Sequence, residues 1–88
     1  MSDVLKLIGK VKRGTNRLKV FKAMTQPLMP SELVIKVYGK SSNTYFNLVS
    51  RALAELKQLK LVKLINPKEK TGRIYELTDL GKEVLKKL

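Results

Sequence analysis

Apolar residues recur at steps of three and four along most of this chain, and the breaks in that rhythm fall at Gly, Pro and hydroxyl residues, so the pattern reads as a series of short helices. From Ser2 to Arg13, Val4, Leu5, Ile8 and Val11 keep helical spacing among lysines, with Ser2 placed as N-cap and Gly14 as stop. Gly9 inside this helix costs about 1 kcal/mol relative to Ala, so the helix depends on packing against a neighbour. Thr15 or Asn16 then caps a second helix that turns Leu18, Phe21 and Met24 inward, with Val20 beside them, and leaves Arg17, Lys19 and Lys22 wet. The run Gln26-Pro27-Leu28-Met29-Pro30 ends it. Ser31 caps a third helix whose stripe is Leu33, Val34, Val37 and Tyr38 and which Gly39 closes. Val34 to Tyr38 also has the β-branched and aromatic composition of a strand, but the cap, the stop and the neighbouring pattern favour a helix.

The strongest helix is expected from about Asn43 to Lys60, where Phe46, Val49, Leu53, Leu56 and Leu59 or Lys60 mark the inner face. The opposite face then carries Thr44, Asn47, Ser50 and Arg51, followed by Ala54, Glu55 and Gln58. Two β-rich runs, Leu61 to Asn66 and Arg73 to Thr78, flank the polar stretch Pro67 to Gly72 and predict a hairpin with a charged tip. Thr78 or Asp79 starts a last helix with Leu80, Val84, Leu85 and Leu88 on one face.

Length allows one such module and no second, because 88 residues lie near the lower end of independently folding chains. The chain has no Cys and no His, which removes disulfides, thiolate and imidazole metal sites and the usual triads, and makes an enzyme the lesser reading. No cofactor or small-molecule effector is indicated. Charge is more telling. The formal net charge is +12, divided as nine basic and two acidic residues over 1–44 and ten and five over 45–88. An excess spread through the fold favours a nucleic-acid surface over a basic tail. No apolar run approaches the roughly 20 residues of a membrane span, and the first 14 residues lack the apolar core of a signal peptide, so a cytoplasmic, nucleoid-associated protein without a membrane partner is expected.

The order of elements and three stretches of sequence resemble the winged helix-turn-helix domain of MarR/ArsR-like prokaryotic, and in particular archaeal, transcriptional regulators. Asn16 to Met24 looks like their opening helix, Val49 to Val62 like the recognition helix and its exit, and Gly72 to Lys82 like the second wing strand and the start of the final helix. The resemblance covers residues 16–88. It departs at Lys60, where the family usually has Gly, and from Glu32 to Leu53, where this chain spends more residues. The implied class is α+β, mainly α: a three-helix core plus a β-hairpin wing, with an extra N-terminal helix and a C-terminal helix. Residues 1–14 then form an amphipathic dimerisation element and residues 15–88 the DNA-binding domain.

The residues suit that role on chemical grounds. In the major groove Asn pairs with adenine, Arg with guanine, and Ser or Thr with either. The expected recognition-helix set is Ser42, Asn43, Thr44, Tyr45, Asn47, Ser50 and Arg51, with Lys68, Lys70, Thr71 and Arg73 on the wing and Arg17, Lys40 and Ser41 on the DNA backbone. Gly39-Lys40-Ser41 has the end of a phosphate-binding loop but lacks its first Gly. A homodimer through Val4, Ile8, Leu85 and Leu88 is expected from the two leftover amphipathic helices. The function read from the sequence is sequence-specific binding of double-stranded DNA in transcriptional regulation. The alternatives are a low-specificity chromatin protein with the same fold and a winged-helix protein or RNA adaptor.

Overall fold

The structure, a computed structural model, describes residues 2–88, with side chains from Val4 onward. Its elements are α1 (Ser2–Arg13), α2 (Thr15–Ala23), α3 (Pro30–Tyr38), α4 (Asn43–Gln58), β1 (Val62–Leu64), β2 (Tyr75–Leu77) and α5 (Asp79–Lys86). This is the mainly helical α+β class expected, with a small antiparallel sheet. The Ser2 cap expected for α1 lies outside the described side chains.

Boundaries follow local chemistry, with some substitutions of one device for another. Gly14 alone separates α1 from α2, in extended backbone, and its carbonyl accepts from Leu18 N–H at 2.8 Å. Thr15 and Asn16 therefore lie inside α2 and cap nothing. Lys36 closes the far end of α2, its Nζ donating to Ala23 O and Thr25 Oγ1 at 2.8 Å each. Ser31 is not the cap of α3 either. Met29 holds that position, Pro30 fills the first turn where its missing N–H is harmless, and the Glu32 carboxylate accepts from Met29 N–H at 2.8 Å. Gly39, at φ 78°, ends α3, and Ser42 Oγ caps α4 by accepting from Tyr45 N–H at 3.1 Å.

The exit of α4 is a Schellman closure: Leu61 N–H reaches Leu56 O at 3.0 Å and Lys60 N–H reaches Lys57 O at 2.9 Å. That geometry puts Lys60 at φ 65°, a left-handed position which costs an L-residue with a side chain about 1 kcal/mol. Lys60 is thus a strained site. Lys60→Gly should raise stability by about 0.5 kcal/mol, the relief being partly offset by the looser unfolded chain. A thermal melt a few degrees above wild type would show it.

The strands pair antiparallel with Val62 opposite Leu77, Lys63 opposite Glu76 and Leu64 opposite Tyr75. Leu28, expected only as part of a helix break, adds a bridge to Tyr75, with both N–H···O bonds at 2.9 Å. The hairpin base is thereby sewn to the α2–α3 connection. At the other end of β2, the Thr78 hydroxyl donates to Lys60 O at 2.7 Å and accepts from Gly81 N–H at 3.0 Å, starting α5 as expected.

One core joins all of this: Phe21, Leu33, Leu53, Leu56 and Val84 are fully buried, and no polar residue is buried among those described. Val11 of α1 has no exposed surface, so the N-terminal helix is a wall of the core and not an appendage. The Cα radius of gyration of 12.3 Å agrees with the roughly 12 Å of one packed body of this length.

Candidate nucleic-acid interface

The phase of α4 decides what it offers to a partner. Val49, Ala52, Leu53 and Leu56 face the core, and Tyr45, half-buried, stacks on Tyr38 with ring centroids 4.5 Å apart and planes within 7°. That stack places Phe46, expected in the core, on the outside at 44% exposure. It also withdraws Tyr45 from the open face. Asn43, Thr44, Asn47 and Arg51 remain exposed along one side of the helix, while Ser50 is half-buried at its edge. Ser42 belongs to the cap, and Lys40 and Ser41 are exposed in the turn before it.

Lysines flank the stacked tyrosines, with Lys19 Nζ 5.9 Å from the Tyr38 ring centre and Lys40 Nζ 5.9 Å from that of Tyr45. Burial, and secondarily Tyr45, push the Tyr38 phenol above its ordinary pKa, so it stays protonated and donates to Asn16 Oδ1 at 2.5 Å. The pair locks the N-terminal end of α4 onto α2 and α3.

The tip of the β1–β2 hairpin is organised by Asn66. Its amide donates to Gly72 O at 3.0 Å, and its side-chain oxygen accepts from Ile74 N–H at 2.7 Å. Lys68, Lys70, Thr71 and Arg73 are exposed around this bracket, Arg73 Nε donating to Glu69 O at 3.1 Å. A cleft of about 300 Å³ lies between the tip and α4, walled by Phe46 on one side, Lys70, Gly72 and Arg73 on the other, and Met29 and Pro30 at the start of α3. Phe46 is the residue of α4 that meets the cations of the hairpin tip across this cleft, while Arg51 lines a separate hollow with Asn16, Arg17 and Glu55.

Arg17 does not stay wet. Its guanidinium pairs with Glu55 at 3.0 Å and donates to Lys10 O, with only 18% of the side chain exposed, so it ties α1, α2 and α4 together instead of reaching for phosphate. Among the described residues the other ion pair is Lys87–Glu83 at 3.8 Å, which leaves Lys40, Arg51, Lys68, Lys70 and Arg73 without an acidic partner.

The expected dimer residues are largely used within the chain. Val4, Ile8, Leu85 and Leu88 are half-buried against its own core because α1 and α5 pack on each other. The large apolar side chain that α1 leaves open is Leu5, at 73% exposure. A second groove, about 530 Å³, opens between residues 24–27, β2 and α5, with Met24, Pro27, Leu77 and Leu85 among its walls, and includes no residue of α4 or the hairpin tip. No helix of the described residues is long and apolar enough to cross a membrane, and none of their His, Cys, Asp and Glu side chains form a group of three or more able to hold a metal ion.

Sequence reasoning missed Phe46 as a surface residue because apolar spacing alone admits either Phe46 or Tyr45 on the inner face. The aromatic residues just before and after the Gly39 turn were the signal for the correct choice. Comparison of the chain with protein-family models, with curated proteins and with solved structures found no match.

Proposed function

We propose that this chain is a winged helix-turn-helix domain that binds double-stranded DNA sequence-specifically and serves transcriptional regulation, with α4 in the major groove and the β1–β2 tip on the backbone or minor groove. The observation that carries the reading is the pair of elements that meet at Phe46: α4, with Asn43, Thr44, Asn47 and Arg51 exposed, and across a cleft from Phe46 a hairpin tip of unpaired cations. A helix fits the major groove, those side chains match base-edge donors and acceptors, and lysine and arginine on a short hairpin match phosphates. Lys40 and Ser41, exposed at the other end of the same face, are added as backbone contacts, and Arg17 is omitted because Glu55 holds it. The proposed partner is DNA; a homodimer through Val4, Ile8, Leu85 and Leu88 would have to use the outer edges of residues already half covered.

A low-specificity DNA-coating role is favoured by one observation, the even spread of the +12 charge over both halves of the chain. One experiment separates the two. In binding titrations on a duplex enriched from a random pool and on unselected duplex, Asn47→Ala and Arg51→Ala should each weaken the enriched sequence by about 1–3 kcal/mol and the unselected one far less. Lys68→Ala and Lys70→Ala should weaken both equally. Equal losses from all four changes would favour the coating role, and no loss from any would favour a protein or RNA adaptor.

A further inference from the structure

Phe46 is the only strongly exposed aromatic residue among those described: Phe21 is buried, and Tyr38, Tyr45 and Tyr75 are half-buried. It stands on the row of Asn43 and Ser50, three and four residues away, about 100° round the helix from Asn47 and on the side that meets the hairpin tip. It also forms one wall of the cleft whose other wall carries Lys70 and Arg73. A phenyl ring left 44% exposed beside cations gains by covering its open surface with an apolar group, which a ligand held by those cations can supply.

Base edges in the major groove present hydrogen-bond donors and acceptors, and their apolar feature is the 5-methyl group of thymine. Resting on the DNA-binding reading above, we propose that Phe46 reads that methyl group and selects thymine at one position of the bound sequence. The strand carrying it enters the cleft between α4 and the wing, where Lys70 and Arg73 take its phosphates. Asn47 and Phe46 then read neighbouring base pairs by different chemistry, one by hydrogen bonds and one by apolar contact.

Deoxyuridine tests this because it pairs as thymine does and lacks only the methyl. In the enriched duplex each thymine is replaced singly by deoxyuridine. The wild-type chain should lose about fourfold in affinity at one position, the worth of one buried methyl group. Phe46→Ala should bind the two duplexes equally, and Phe46→Leu, which preserves an apolar side chain with less change to the fold, should retain part of the difference. A wild-type chain indifferent to every replacement overturns the proposal without any variant, as does a Phe46→Ala chain that keeps the full difference. Tighter, Phe46-dependent binding of the separated single strand also overturns it, since the ring would then be stacking on unpaired bases. If the wild-type chain enriches no duplex at all, the DNA-binding reading itself fails, an outcome distinct from binding that ignores the methyl.

Discussion

Gly81→Ala should lower the melting temperature by on the order of 15 °C, while Gly9→Ala, the same change in another helix, should raise it. A methyl group on Gly81 would fall on the carbonyl oxygen of Leu61, well inside contact distance, with the carbonyl carbon at 3.0 Å and Leu77 Cδ2 at 3.3 Å. The carbonyl cannot retreat, because Thr78 N–H holds it at 3.0 Å and Thr78 Oγ1 holds the preceding carbonyl, that of Lys60, at 2.7 Å. Backbone overlap of this kind is destabilising by about 3 kcal/mol, which outweighs the roughly 1 kcal/mol that Ala gains over Gly in a helix. A Cβ on Gly9 meets nothing within 4 Å, so there the propensity term acts alone. Thermal unfolding followed by circular dichroism checks both signs. Equal shifts would show that the α4–β1 turn is free to move away from α5.

Affinity for duplex DNA should fall about a thousandfold between 50 and 200 mM salt, because each phosphate met by Lys or Arg releases counterion and about six such contacts suffice. On the DNA-binding reading proposed above, Lys40, Lys68, Lys70 and Arg73 would supply four of these, none of them held by a carboxylate. The remainder must come from other lysines, Lys19 beside Tyr38 being one candidate. Removing Lys68 and Lys70 together should reduce the slope of log affinity against log salt by about two. Titrations at four or more salt concentrations measure the slope, and a flat response would reject an electrostatic footprint.

Local signals in the sequence located most elements. The end of α1 before Gly14, the Gly39 stop, the start of α4 at Asn43, the start of α5 at Thr78 or Asp79 and the hairpin each depend on residues within one turn of the feature, and each is found where the pattern placed it. What the sequence hid depends on partners far along the chain. Tyr45 turns inward because Tyr38 waits across the turn, and that rotation, not the hydrophobicity of Phe46, decides which aromatic reaches the surface. Arg17 looks like any wet helix cation until Glu55, 38 positions away, is brought against it. The bridge from Leu28 to Tyr75 likewise has no local signature, since a lone paired residue between two prolines has no strand rhythm to detect. The polar row of α4 was readable because it needs only the helix period, and the meeting of Phe46 with the hairpin tip became visible only with the fold.

The Asn66 bracket has a consequence for how such a chain can change. Strand pairing ends at Leu64 and Tyr75, the bracket closes just beyond, and every residue from Pro67 to Arg73 is exposed. Nothing past the bracket supports the core. Lengthening that tip therefore meets little more than loop-closure entropy, about 0.6 kcal/mol for each doubling of the loop. The reach of the hairpin and the number of cations it presents can vary by insertion or deletion while the helices stay as they are, so the tip is an adjustable part attached to an invariant frame.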